Sequence, residues 1–153
     1  MFAHNIRISV FICEDEENSI EKEQKLKDIF RSMIPVDFER EKLAVAEHTA
    51  SGFNEKKIKI IELTMEKEAH TNRFLKNLNK YLSDSQRQLI LSQKETRLDD
   101  GLLFYLRFDK DILLDEGKLI LTDAGSCVHI RMSIAAFPRN REAALMVIGK
   151  IFK

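Results

Sequence analysis

Leu102, Phe104, Leu106 and Phe108 fall on one side of a period-two pattern, and Leu103, Tyr105, Arg107 and Asp109 fall on the other. A helix repeats every 3.6 residues, so this spacing suits only a strand with one buried face and one open face. The pattern occurs twice more. Ile6, Ile8, Val10 and Ile12 alternate with Arg7, Ser9, Phe11 and Cys13. Val128, Ile130, Met132 and Ile134 alternate with His129, Arg131, Ser133 and Ala135. Three aliphatic strand faces must be covered by another layer, and only helical segments remain to cover them.

Those segments have the right period. The acidic stretch Glu14 to Glu17 can charge the first turn of a helix that carries Leu26, Ile29, Phe30 and Met33. Pro35 ends it, because the residue before a proline avoids helical geometry. Glu66 to Leu82 reads as a second helix through Phe74, Leu78, Tyr81 and Leu82, and a third runs from Gln86 to about Arg97. The last helix is capped by Asn140 and striped by Ala144, Val147, Ile148 and Ile151. Two weaker strands, Leu43 to His48 and Lys57 to Met65, read as a hairpin around Ser51, Gly52 and Asn54. Ile60 and Ile61 break the second strand's alternation, which a bulge or a fully buried stretch would satisfy. After one helical turn expected from Asp109 to Leu114, Lys118 to Thr122 makes a short strand, so the last three strands suggest a meander.

The resulting order groups strands rather than alternating them with helices. It predicts an α+β fold with a mostly antiparallel sheet and helices packed on one face. A length of 153 residues suits one domain, spanning residues 1–153. Hydrophobic residues at 44% supply its core. The two cysteines, Cys13 and Cys127, do not make a secreted disulfide framework, and no apolar run approaches the ~20 residues that cross a bilayer. With no signal-peptide layout, the expected location is the cytoplasm, away from any membrane.

Formal net charge is zero, so a nucleic-acid partner would have to be met by a local patch and not by an overall field. Catalytic and metal patterns are not evident. His4, His48, His70 and His129 are scattered, and neither cysteine has a close ligand partner of the kind a zinc site uses. Cys127 and His129 share a strand face ~7 Å apart, too far for a direct thiol–imidazole bond. Asp109, Asp111 and Asp115 lack a calcium loop's central glycine and terminal glutamate. The sequence therefore predicts a non-enzyme with no metal and no cofactor.

The residues opposite the aliphatic stripes form the candidate site. Arg7, Phe11, Tyr105, Arg107, His129 and Arg131 all take that parity. If the strands share a sheet, they lie on its open side. Interleaved aromatic and basic side chains can stack bases and pair phosphates, at ~1–3 kcal/mol per stacked base. Spacing alone also suits two other readings, an ordinary solvated sheet face and a dimer interface, since Tyr and Arg favour interfaces too. Arg139 and Arg141, at the start of the last helix, form a second basic pair beside free N–H groups.

Two segments carry a resemblance. Leu103 to Lys110, reading LFYLRFDK, and Val128 to Glu142, reading VHIRMSIAAFPRNRE, resemble in content, order and spacing the blocks of a small archaeal family. That family is held to bind RNA and is predicted to supply an exosome subunit. Gly52-Phe53-Asn54 is similar to its glycine–asparagine hairpin. Ser133 stands where the family commonly has lysine, and Glu55 where proline is usual. The resemblance implies a fold like the large-subunit ribosomal protein that contacts 5S ribosomal RNA. It also implies a non-enzymatic role with RNA, in RNA-processing or ribosomal machinery. Taken with the strand parity, it makes Arg7, Tyr105, Arg107, Lys110, His129, Arg131, Arg139 and Arg141 the expected RNA-binding residues. The alternative is a protein-interaction module or homodimer that uses the same face.

Overall fold

The computed structural model describes residues 1–51 and 56–153. Of the turn expected at Ser51, Gly52 and Asn54, Gly52 and Asn54 lie outside the described residues, and Ser51 is the last residue of its strand, paired with Lys57. Eleven elements follow one another as β1 (Ala3–Cys13), α1 (Ser19–Met33), β2 (Val45–Ser51), β3 (Lys57–Met65), α2 (Glu68–Tyr81), α3 (Asp84–Ser92), α4 (Lys94–Arg97), β4 (Leu103–Asp109), α5 (Lys110–Glu116), β5 (Cys127–Ile134) and α6 (Arg141–Ile151). The strands form one five-stranded sheet in the order β2-β3-β1-β5-β4, and every adjacent pair is antiparallel. This is the α+β architecture that the grouped strands predict.

Parity divides the sheet as the sequence requires. Ile6, Ile8, Val10 and Ile12 of β1, Phe104, Leu106 and Phe108 of β4, and Val128, Ile130, Met132 and Ile134 of β5 are all buried. They share a core with Leu26 and Phe30 of α1, Phe74 and Leu78 of α2, and Ala144, Ile148 and Ile151 of α6. The helices thus cover the aliphatic side. Burying each large apolar side chain is worth about 1.5–3 kcal/mol, so this layer is the main support of the fold. One irregularity sits between Ala3 and Asn5, where the β1–β5 register shifts. The extra residue lets both Ala3 and Ile6 face the core although they are three apart.

Local devices set the element ends. Asn140 Oδ1 accepts from the Ala143 N–H at 2.8 Å and caps α6 as its sequence position suggests. Asp109 Oδ1 accepts from the Ile112 N–H at 2.9 Å and starts α5 directly after β4. Asp99 Oδ1 takes the N–H groups of Gly101 and Leu103 and shapes the turn into β4.

Three expectations need correction. The helix predicted from Gln86 to Arg97 is two helices, because Gln93 leaves helical geometry at φ −105 and ψ 8. Lys118 to Thr122 is not a strand of the sheet. It makes one bridge, Leu121 to Phe108, so β4 and β5 pair directly and the expected meander has two strands. Ile60 and Ile61 form neither a bulge nor a fully buried stretch, since Ile61 is in the core and Ile60 is half-buried. Registers with β1 and β2 run through them unbroken, and Ile60 simply occupies the open side.

Candidate functional site

The open side is organised in rows that cross the strands. Register pairs Thr64 with Arg7, Arg7 with Arg131, and Arg131 with Tyr105. The next row runs Glu62, Ser9, His129, Arg107. Five of the residues singled out from sequence, Arg7, Tyr105, Arg107, His129 and Arg131, therefore meet on three adjacent strands. The direct pairing of Arg7 with Arg131 is unusual, since like charges opposite one another destabilise a sheet. No carboxylate among the described residues offsets it. The arginine ion pairs there are Arg31–Asp28 and Arg87–Asp84, both on helices. The Nε atoms of Arg7 and Arg131 are buried and without a hydrogen-bond partner. Glu62, the acid of the second row, lies 3.8 Å from His48 on the β2 side, away from Arg107.

The aromatic part is held rigidly. The rings of Tyr105 and His129 stack with centroids 5.7 Å apart and planes 20° from parallel. The Tyr105 hydroxyl donates to Asp99 Oδ2 at 3.0 Å, so the turn before β4 fixes the ring. Burial raises the Tyr105 pKa, and its bond to Asp99 adds to this. Burial lowers the His129 pKa, and the charges of Arg107 and Arg131 lower it further. The ring is thus mainly neutral at pH 7 between two permanent cations.

The remaining expected residues are elsewhere. Lys110 is 2% exposed, and its ammonium donates to Phe11 O at 3.1 Å and to Glu16 Oε1 at 3.0 Å. It ties α5 to β1 and is not part of the open face. Arg141 donates to the carbonyls of Leu98 and Glu95, joining α6 to the end of α4. Its guanidinium is engaged there, apart from Arg139, which is exposed in the segment before α6. Cys127 is half-buried, and burial raises its pKa, which keeps the thiol protonated. Among the described residues no group of three or more His, Cys, Asp or Glu side chains could hold a metal ion.

Sequence reasoning missed Arg97. It reaches the outer edge of β4, where Nη1 donates to the Tyr105 carbonyl at 3.4 Å, while Nε and Nη2 hold Gln93 Oε1 at 3.0 and 2.7 Å. A groove of about 460 Å³ opens beside it, lined by Gln93, Thr96, Arg97, Tyr105, Arg107 and Asp123. No periodicity marks Arg97, because its position depends on the helix break at Gln93. Phe11, grouped with this face by its parity, is 53% exposed on the open side, beside Ile60 in the register. Among the described residues, no helix is long and apolar enough to cross a membrane.

The profile of a protein family described as RNA binding matches residues 5–134, a span that includes β2 to β5 whole and β1 from Asn5 onward. An RNA-binding protein of Pyrococcus abyssi is 25% identical over 146 residues, covering 95% of this chain and 91% of its own length. The crystal structure of a protein from Archaeglobus fulgidus, of the family DUF54, superposes with a TM-score of 0.78 at 21% identity, covering 97% of this chain and 99% of its own. A DUF54 protein from Methanothermobacter thermautotrophicus gives 0.74 at 22% identity, with both chains covered in full.

Proposed function

Since the chain belongs to the RNA binding family, we propose that it binds RNA on the open side of its sheet, through Arg7, Tyr105, Arg107, His129 and Arg131. The observation that carries this reading is the Arg7–Arg131 pair. Two arginines occupy directly opposite positions of the ladder, without an ion-paired carboxylate and with both Nε atoms unpaired. A phosphate bound by the pair offsets the like-charge repulsion. Tyr105, fixed by Asp99 and stacked on His129, offers the adjoining π-surface for a base. Arg139, exposed near the end of the sheet, is an outlying phosphate contact in this reading, while Lys110 and Arg141 act as scaffold. Residues 1–153 act as one unit, a non-catalytic RNA-holding component of cytoplasmic RNA-processing or ribosomal machinery.

The local character of the site fits the zero net charge. β1, β4 and β5 together carry three arginines and one acid, Asp109, while most of the 25 cations and 25 acids lie on other segments, as in the Glu23–Lys27 pair. Affinity should therefore come from a few phosphate contacts and fall with salt. Fluorescence anisotropy with a labelled single-stranded RNA across a salt series tests this. Binding that weakens with salt and is lost in Arg7→Ala/Arg131→Ala supports the reading. Absence of binding by the wild type at low salt would reject it.

A second reading draws on the corner where Phe11 and Ile60 are neighbours. An exposed aromatic beside a half-buried aliphatic suits contact with protein, including a second copy of the chain. Light scattering over a concentration series, with Phe11→Ser as the comparison, distinguishes the two occupants of the face.

A further inference from the structure

The geometry points to the groove at the β4 edge as a pocket for one unstacked nucleotide, which makes single-stranded or bulged RNA, and not continuous duplex, the ligand of the open face. This rests on the RNA reading above and adds the form of RNA that the face can accept.

A strand at the border of a sheet leaves a row of unpaired backbone groups. Here Asp99 N–H takes the Leu103 carbonyl, Arg97 takes that of Tyr105, and the Thr122 N–H takes that of Arg107. The cover comes from two different pieces, the end of α4 and the 118–122 segment. The groove is the opening between them, and its inner wall is Tyr105 and Arg107 of the open face itself. Face and groove are thus one continuous surface.

Its volume, about 460 Å³, lies in the range of pockets that enclose a small organic ligand. The chemistry of the wall is more selective than the size. Arg97 and Arg107 are both cations, and Asp123 is the only carboxylate in the lining. Arg97 is partly withdrawn from water and feels both the attraction of Asp123 and the repulsion of Arg107. An anionic group beside the two guanidiniums is therefore favoured, and a phosphodiester is such a group. Around it stand Thr96, Gln93 and Asp123, which offer a hydroxyl, an amide NH₂ and a carboxylate. These are the groups that read the hydrogen-bonding edge of a base once it has left its stack. Tyr105, held from both sides, supplies a rigid flank.

A paired base cannot enter such a recess, because its edge is engaged and its neighbours stack on it. A base in a single strand, or one bulged from a duplex, enters with little or no unpairing cost. The strand would then run from the Arg7–Arg131 row to the β4 edge, with one nucleotide turned into the groove.

The test uses four labelled RNA probes: a 12-nucleotide oligouridine, a 12-nucleotide oligoadenosine, a 12-base-pair blunt duplex, and that duplex with one unpaired nucleotide, sizes of about one helical turn chosen to span the face. Anisotropy is measured for the wild type, for Thr96→Phe, which fills the groove from an exposed position on α4, and for Arg97→Gln. Circular dichroism confirms that each variant is folded. The expected result is roughly tenfold or greater preference for single-stranded and bulged probes over the blunt duplex, with the preference lost in Thr96→Phe and duplex affinity unchanged. Equal wild-type binding of blunt duplex and single strand overturns the inference. So does a Thr96→Phe variant that keeps the preference, even if Arg97→Gln weakens binding. In both cases the open-face reading stands as long as Arg7→Ala/Arg131→Ala abolishes binding. If no probe binds the wild type, both readings fall.

Discussion

Arg7 and Arg131 face each other directly across the β1–β5 ladder, each with its Nε buried and unpaired. The fold holds this arrangement at a cost, because opposed like charges weaken a strand pair. Arg7→Ala should therefore leave the melting temperature unchanged or slightly higher. RNA affinity should drop by about 1–2 kcal/mol, roughly tenfold, for one lost charged contact. The slope of log K against log salt should fall by about 0.7 with a single strand. A thermal melt and a salt titration on the same preparation check all three. A large loss of stability would mean that Arg7 is structural.

His129 predicts a pH effect on stability and an opposite one on binding. Burial first, then Arg107 and Arg131, hold its pKa below the ordinary 6.5. The unfolded chain therefore takes up this proton at a higher pH than the folded chain does. Stability is lost as pH falls through 6.5 and stops falling once the folded ring is also protonated. His129→Gln should flatten this part of the melting profile between about pH 7 and about pH 5. Phosphates that neutralise Arg107 and Arg131 make the charged ring easier to form. Wild-type affinity for RNA should accordingly rise on acidification, and that of His129→Gln should not.

Lys110 should matter for folding and not for RNA. Burial disfavours the Glu16 carboxylate, but bonds from Lys110, the Cys13 N–H and Lys22 outweigh this and lower its pKa. Lys110→Met removes the buried partner and should cost about 2 kcal/mol, less than a fully buried pair because Glu16 is partly open to solvent. Adding Glu16→Gln should recover part of the loss. Urea denaturation measures both, and affinity per folded molecule should be unchanged.

Tyr105 has separable roles. Tyr105→Phe loses the hydroxyl bond to Asp99 and should destabilise the protein by about 1 kcal/mol. It keeps the ring, so RNA affinity should change little. Tyr105→Ala should weaken RNA binding by about 1–3 kcal/mol if one base stacks there. Paired melting and anisotropy measurements separate the two effects.

The sheet and its open side are legible in the sequence because strand parity is a local rule. Residues two apart share a face wherever the strand lies, so Arg7, Tyr105, Arg107, His129 and Arg131 can be grouped before their order in the sheet is known. What cannot be read locally is which cations are already engaged. Lys110 lies in a matching block and looks available, yet Glu16, 94 positions away in sequence, holds it. Arg141 looks like a phosphate ligand, but carbonyls 43 and 46 residues earlier use it. Arg97 is the converse case. It sits in an ordinary helical run, and only the interruption at Gln93 turns it onto the sheet edge. The 118–122 segment has strand-like composition but makes a single bridge along β4, another outcome that depends on distant neighbours.

The closed β4 border also gives the sheet a direction of growth. Arg97 and the 118–122 segment occupy the backbone groups along one side, while β2 forms the opposite border and is exposed along nearly all its length. A strand added beside β2 would have β2, β3, β1 and β5 between it and Tyr105. The layer is thus a ratchet for assembly: it can be lengthened from its far end without covering the end that carries Tyr105, Arg107 and the groove.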